Sequence, residues 1–199
     1  MTSDQRREQI VGAAIAVFGA RGYVGTTTDE VARTAEVSQP YVVRLFGSKE
    51  KLFLAAMNHA QDELITTFRT AIQAEPAVAD HNGDEMVARM GDAYVELLRV
   101  RGLHQFLSQL FLLGGHPVIG PPARACFATI WRMLREEAGL DRDRAFSFLS
   151  IGMLINTLLG LRITQRYGED SGMTELLDSC FPGSIDAVLD SAPRADEPW

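Results

Sequence analysis

The sequence lacks the features that mark an exported or membrane-bound protein. It holds 2 cysteines among 199 residues, too few and too far apart for a disulfide framework or a zinc site, so we expect two reduced thiols. The most apolar stretch, residues 145–161, is interrupted by Ser147, Ser150 and Asn156 and falls short of the ~20 apolar residues that a membrane span needs. Because no apolar run lies near the N-terminus, we expect no signal peptide and a cytoplasmic protein without a membrane partner.

Catalytic motifs are also absent from the sequence. It contains no glycine-rich phosphate loop, no Gly-x-Ser-x-Gly turn and no evident pairing of His, Asp and Ser. The histidines at positions 59, 81, 104 and 116 have no His-x3-His spacing. We therefore expect a protein that is not an enzyme, with no catalytic residues, no cofactor and no metal site.

Lysine is scarce, and the charge is unevenly distributed along the chain. The net charge is −7, and the two lysines are Lys49 and Lys51. Residues 1–53 hold seven basic and six acidic residues, a net charge of +1, whereas the rest of the chain carries −8. An acidic body with a neutral-to-basic end is typical of a protein that approaches phosphate with one end only.

Helical periodicity runs from one end of the sequence to the other, whereas the alternation typical of strands is scarce. It predicts a first helix that stops at Gly22, two short helices, and a long helix over about 48–74, followed by a loop over 75–83. Further helices are expected over 84–100, 103–113, 121–138, 142–167 and 173–191, the last one split by Pro182-Gly183. We predict an all-α fold with a small N-terminal domain of three helices (1–53), a larger helical domain (54–191) and a flexible tail (192–199).

Two short helices, each with its own start signal, lie within residues 27–46. Thr27 followed by Glu30 is a capping box, which predicts a helix that begins at the next residue. Ser38 is the expected N-cap of the second helix, and its hydroxyl is expected to accept the N–H of Tyr41. Two short helices joined by a tight turn form a helix-turn-helix unit, whose second helix enters the major groove of DNA.

Polar residues at the start of the second helix form the predicted reading surface. Gln39 can pair with adenine through two hydrogen bonds, and Arg44 can reach guanine or a phosphate. Tyr41 offers a ring for thymine methyl groups. The two threonines that begin the first short helix, and Lys49 in the long one, are placed to hold phosphates. The alternative is a helical hairpin with a solvated polar face. The predicted DNA-binding residues are Thr27, Thr28, Ser38, Gln39, Pro40, Tyr41, Arg44 and Lys49.

A specific family resemblance covers residues 5–55. Phe18, Gly22, Tyr23, Thr27-Thr28, Ala32, Ala35, Val37-Ser38 and the Phe-x-Ser-Lys-Glu-x-Leu-Phe sequence over 46–53 resemble the DNA-binding domain of the TetR family of bacterial repressors. The resemblance implies an all-α homodimer that binds double-stranded DNA at a palindromic operator. It also implies a divergent C-terminal domain that binds a small-molecule inducer and then releases the DNA.

Three positions differ from the family pattern. Glu36 stands in the turn where the family has glycine, so a left-handed conformation there would cost about 1 kcal/mol. Val43 replaces a tyrosine that commonly contacts phosphate, and Tyr41 stands where a small residue is usual. We expect the fold to be retained and the base preference to differ from that of the family.

Methionine and aromatic side chains repeat at helical spacing in the C-terminal half. A ring of such residues with a few polar groups suits a flat hydrophobic ligand, although ordinary core packing gives the same pattern. The predicted ligand-binding residues are Met86, Met90, Tyr94, His104, Phe106, Gln109, Leu110, Leu113, Phe127, Trp131 and Asn156. The alternative function is a ligand-binding or interaction protein of the same fold that does not bind DNA.

Overall fold

The computed structural model describes residues 2–74 and 83–192, and within those ranges the chain is helical with no β-strand. The predicted all-α class is confirmed. The predicted loop over 75–83 and the tail over 192–199 lie almost entirely outside the described residues. The α-helices are α1 (Ser3–Gly25), α2 (Thr28–Thr34), α3 (Gln39–Phe46), α4 (Lys49–Gln73), α5 (Asp84–Glu96), α6 (Leu103–Leu112), α7 (Gly120–Arg132), α8 (Arg142–Gly160), α9 (Ser171–Cys180) and α10 (Ile185–Ser191).

The chain divides into two compact units. The first contains the residues up to Asp62 together with Val100–Arg124, and the second contains Glu63–Arg99 and the residues from Ala125 onward. The first unit therefore holds α1, α2, α3, the beginning of α4, and α6. The functional division expected from the sequence, after residue 53, stays a prediction.

Aromatic side chains from α1, α4 and α6 fill the core of the first unit. Phe53 of α4 packs edge-on against Phe18, with ring centroids 4.9 Å apart, and edge-on against Tyr23 at 5.2 Å. Its other neighbour is Phe106 of α6 at 5.0 Å. Phe18, Phe53 and Phe106 are fully buried, so this cluster joins three helices that are far apart in sequence.

Two glycines allow α1 and α6 to approach each other closely. A Cβ atom added to Gly19 of α1 would lie 2.6 Å from the carbonyl oxygen of Gly102, and one added to Gly102 would lie 2.8 Å from the Cα of Ala16. Gly102 is the N-cap of α6 and has a φ of 77°. Neither position has room for a side chain, so the crossing requires both glycines.

The second unit has its own apolar core, with one buried polar pair. Leu97, Leu134 and Leu177 are fully buried there. Tyr94 of α5 donates its hydroxyl hydrogen to the side-chain oxygen of Asn156 on α8, at 2.6 Å. Burial raises the pKa of the Tyr94 phenol, so the group stays neutral and serves as a donor.

Two helix ends differ from those predicted. The helix expected over 142–167 ends at Gly160, because Arg162 adopts a left-handed conformation with φ 55° and a 3₁₀ turn follows it. The left-handed position, where glycine is usual, lies two residues after Gly160 and is occupied by an arginine. The first helix is interrupted at Gly22, as expected (φ 70°, ψ 172°), but helical residues resume and continue to Gly25.

Cys126 and Cys180 are both unpaired, as expected. Burial raises the pKa of the Cys126 thiol to about 11, so this cysteine is a neutral core residue. Among the described residues, no helix is both long and apolar enough to span a bilayer.

Candidate nucleic-acid interface

The start of α2 has the capping box that the sequence predicts. The Thr27 hydroxyl accepts the Glu30 N–H at 3.2 Å, and a Glu30 carboxylate oxygen accepts the Thr27 N–H at 2.8 Å. The hydrogen bonds from the Thr27 backbone and hydroxyl lower the pKa of the Glu30 carboxyl. Arg21 forms an ion pair with the same carboxylate. The capping box therefore satisfies backbone N–H groups at the start of α2, and the ion pair joins this end of the helix to α1.

The turn between α2 and α3 is left-handed at a residue other than glycine. Glu36 has a φ of 52°, the conformation expected where the family pattern has glycine. The N–H of Val37 returns to the Ala32 carbonyl at 2.9 Å. From α1, the side-chain amide of Gln9 donates to the Ala35 carbonyl at 3.0 Å. The sequence reasoning missed Gln9, because nothing local relates it to a turn 26 residues later.

The start of α3 differs in one detail from the prediction. Ser38 is the N-cap, as predicted, but its hydroxyl makes no capping hydrogen bond, so the expected bond to the Tyr41 N–H is wrong. The N–H groups of Tyr41 and Val42 bond instead to the Ser38 carbonyl, at 3.0 and 3.3 Å. Pro40 has no N–H in this first turn, and a tight 3₁₀-type bond satisfies the Tyr41 donor without the side chain. The Ser38 hydroxyl is left on an exposed residue.

The predicted reading residues on α3 are held by neighbouring side chains. The Gln39 amide nitrogen donates to the Thr28 hydroxyl oxygen at 3.2 Å. The Arg44 guanidinium lies over the Tyr41 ring, 5.1 Å from its centroid, a cation–π contact that keeps both groups on the same part of the helix. Val43, which replaces the family tyrosine, is partly exposed. Helix α3 carries no acidic side chain, so nothing on the helix itself would repel phosphate.

Lys49 has a structural role that the sequence did not indicate. Its ammonium donates to the carbonyl oxygens of Tyr23 and Thr26, at 3.0 and 3.1 Å, and lies 4.6 Å from the centroid of the Tyr23 ring. Lys49 thus ties the segment before α2 to the first turn of α4. The phosphate contact of Lys49 stays a prediction.

The predicted ligand-binding residues are divided between the two units. His104, Phe106 and Leu110 are buried in the first unit, where Phe106 belongs to the aromatic core. Gln109 and Leu113 of the same unit are partly exposed. Met86, Met90, Phe127 and Trp131 lie in the second unit, together with Tyr94 and Asn156.

Within the second unit the structure brings two of these residues together, the hydrogen-bonded Tyr94 and Asn156. The ring of Phe68 lies 5.9 Å from that of Tyr94 and 5.7 Å from that of Phe148. The sequence reasoning did not select Phe68 or Phe148. A ligand role for these groups stays a prediction.

An open groove of about 800 Å³ on the second unit is also lined by Phe148. The residues that line it include the apolar Val87, Phe148 and Ile151 and the charged Asp84 and Arg144. The guanidinium of Arg144 bonds to Asp84 at 3.0 Å and also to Asp141. None of the predicted ligand-binding residues lines this groove. No cluster of His, Cys, Asp or Glu within the described ranges could hold a metal ion.

The geometry of the first unit defines a class of protein. A capped short helix, a tight turn and a second short helix with exposed polar residues at its start form the helix-turn-helix that enters DNA. These elements are held by α1 and by the start of α4. The chain therefore contains a helix-turn-helix of the kind that binds DNA.

Comparison with known proteins relates the N-terminal part of the chain to one family. Residues 10–56 match the model of the bacterial regulatory proteins of the tetR family. The chain is 40% identical over 70 residues to the HTH-type transcriptional activator FasR of Mycolicibacterium smegmatis, a match that covers 35% of this chain and 32% of FasR. It is 29% identical over 114 residues to the HTH-type transcriptional repressor NicS of Pseudomonas putida, covering 53% of this chain and 52% of NicS. These matches span between about a third and a half of the relatives' own length.

The fold similarity extends over nearly the whole chain. A TetR-like transcriptional regulator from Rhodococcus sp. RHA1 superposes with a TM-score of 0.64 at 18% identity, and 96% of each chain is covered. The matched DNA-binding domain and this shared fold agree. Residues 10–56 are thus similar to the DNA-binding domain of the TetR family, and the chain has the fold of TetR-like regulators.

Proposed function

We propose that this protein is a sequence-specific transcriptional repressor that reads its operator with α3. The observation that carries the proposal is the ordered polar surface at the start of α3. There Gln39 is held by Thr28, and Arg44 is held over Tyr41. Bidentate side chains of these types are the ones that read adenine and guanine in the major groove. Thr27, Thr28 and Lys49 are the proposed phosphate contacts. Ser38 and Pro40 lie beside the reading residues.

We propose a two-fold symmetric dimer that binds a palindromic operator. A stripe of exposed residues runs along one face of α8 and just past its end and includes Phe146, Met153, Leu154 and Leu161. An apolar stripe of this kind on a soluble domain is typical of a subunit interface. The dimer would place two copies of α3 about 34–36 Å apart, one helical turn of DNA.

The dimer can be tested with a charged substitution in this stripe. In sedimentation equilibrium at micromolar concentration, the wild-type protein should be a dimer and Leu154→Asp should be largely a monomer, because the carboxylate would be buried without a partner. Val24→Asp is the matched control, since Val24 is exposed and lies outside the stripe. It should leave the dimer intact. A wild-type monomer would contradict the palindromic operator.

We further propose that a small hydrophobic inducer binds the C-terminal part and weakens DNA binding. The groove lined in part by Phe148, and the buried pair of Tyr94 and Asn156, support a ligand with an apolar body and a few polar groups. The inducer needs only to bind a splayed arrangement better than the DNA-binding one. A preference of about 1.4 kcal/mol changes operator affinity tenfold.

Selection of bound fragments from genomic DNA at moderate salt tests the proposed DNA reading. We expect enrichment of one palindromic sequence. On that sequence Arg44→Ala should lose discrimination at one base position of each half-site, by about 1–3 kcal/mol, whereas Lys49→Ala should weaken all sequences equally. The change is measured by fluorescence anisotropy with each single-base variant of the operator.

Two outcomes would count against this part of the proposal. If Arg44→Ala weakened all sequences equally, Arg44 would be a phosphate contact and not a base reader. If no sequence were enriched, the ligand-binding or interaction protein without DNA binding would be favoured. Both variants must first show wild-type helicity by circular dichroism.

A further inference from the structure

The hydrogen bond between Thr28 and Gln39 joins a predicted backbone-contacting residue to a predicted base-reading residue. The Gln39 amide nitrogen donates to the Thr28 hydroxyl oxygen at 3.2 Å, across 11 residues of sequence. Thr28 is the first residue of α2 and Gln39 the first residue of α3. Both side chains are half-buried. The Thr28 hydroxyl of α2 therefore orients the Gln39 side chain of α3.

From this arrangement we infer that Thr28 is a positioning residue that selects adenine through Gln39. This inference rests on the proposed function, in which Gln39 faces a base edge. Thr28 acts by holding the Gln39 amide in one of its two orientations. It determines which base Gln39 prefers, in addition to any contact of its own with the DNA backbone.

The orientation of an amide decides which base it reads. With its nitrogen bonded to Thr28, the Gln39 amide has its oxygen and a second N–H left for the groove. One acceptor beside one donor is the complement of the N6 and N7 atoms of adenine. The opposite orientation would place the amide oxygen on Thr28 and turn the NH2 group toward the groove. The two hydrogens of that group are the complement of the O6 and N7 acceptors of guanine.

The Thr28 hydroxyl can enforce this choice because it has a single hydrogen. When that hydrogen is donated to a phosphate oxygen, as the proposed function has it, the hydroxyl can only accept on its other side. Only the amide nitrogen of Gln39 can then bond to it. Contact with the DNA backbone would thus lock the amide in the orientation that reads adenine, so positioning and reading are coupled.

Base discrimination on the selected operator tests this inference. Gln39→Ala first identifies the base position that Gln39 reads. At that position the wild-type protein should prefer adenine to guanine by about tenfold or more. Thr28→Val, which has the same shape without the hydroxyl, should reduce this preference to less than about threefold, and Thr28→Ser should retain it. Discrimination at the position read by Arg44 should not change in either variant.

A double-mutant comparison gives a second readout. In the Gln39→Ala background, Thr28→Val should have no further effect on the ratio of the two affinities, because the coupled side chain is absent. If Thr28→Val lowered affinity for all sequences by one factor and left the adenine preference intact, the inference would be overturned and operator binding would stand. If the wild-type protein bound no operator, the proposed function itself would fail. Thermal denaturation of each variant confirms that the fold is retained.

Discussion

Gly102→Ala should be among the most destabilising single-methyl substitutions in this protein. The residue has a φ of 77°, and the added Cβ would lie 2.8 Å from the Cα of Ala16 and 3.3 Å from two carbonyl oxygens of α1. A left-handed alanine costs about 1–2 kcal/mol, and overpacking against backbone adds about 1–3 kcal/mol. Urea denaturation followed by circular dichroism should therefore show a loss of about 2–5 kcal/mol.

Gly168→Ala is the matched control for this substitution. Gly168 has a similar φ of 83°, but a Cβ there would meet nothing within 4 Å. Gly168→Ala should lower the free energy of unfolding only by the backbone cost of about 1–2 kcal/mol. The difference in unfolding free energy between the two variants therefore measures the close approach of α1 and α6. Equal losses would show that the two helices can separate without cost.

Phe53→Ala should destabilise the first unit by about 3–5 kcal/mol. Phe53 is fully buried and contacts the rings of Phe18, Tyr23 and Phe106, with centroids between 4.9 and 5.2 Å away. These neighbours belong to two helices that cannot both collapse onto the vacant volume, so a cavity would remain. The measurement is again the free energy of unfolding in urea, with Phe53→Leu expected to lose less because it fills part of the space.

Leu112→Ala provides the comparison on the same unit. Leu112 is 79% exposed, so its truncation should change stability by no more than about 0.5 kcal/mol. A loss in Phe53→Ala no larger than that of Leu112→Ala would mean that the aromatic cluster does not hold α1, α4 and α6 together. Retained operator binding in Phe53→Ala would also be unexpected, because α1 and α4 support the helix-turn-helix.

Local sequence patterns predicted the helix-turn-helix well. The capping box at Thr27 and Glu30 forms as expected, because both of its hydrogen bonds join residues three apart and depend on nothing else. The left-handed conformation of Glu36 also agrees with the expectation from the family pattern. The capping box depends on groups within one turn of helix, whereas the turn conformation was expected from the family resemblance.

Two local predictions were wrong, the capping bond at the start of α3 and the C-terminal end of α8. The Ser38 hydroxyl was expected to cap α3, but the Ser38 carbonyl takes the Tyr41 N–H instead. The end of α8 was missed because an arginine, Arg162, occupies the left-handed position. Both outcomes depend on small differences between nearly equivalent backbone arrangements, which residue type alone does not decide.

The sequence by itself determined the helical class, the start of α2, and the polar residue types at the start of α3, because periodicity and capping act between near neighbours. The tertiary structure alone decided which side chains those residues meet. It joined Gln39 to Thr28, Lys49 to the carbonyls of Tyr23 and Thr26, and Tyr94 to Asn156. These partners are 11 to 62 residues apart, and their meeting depends on how whole helices pack. Close packing of the core sets those distances, and no spacing in the sequence encodes them.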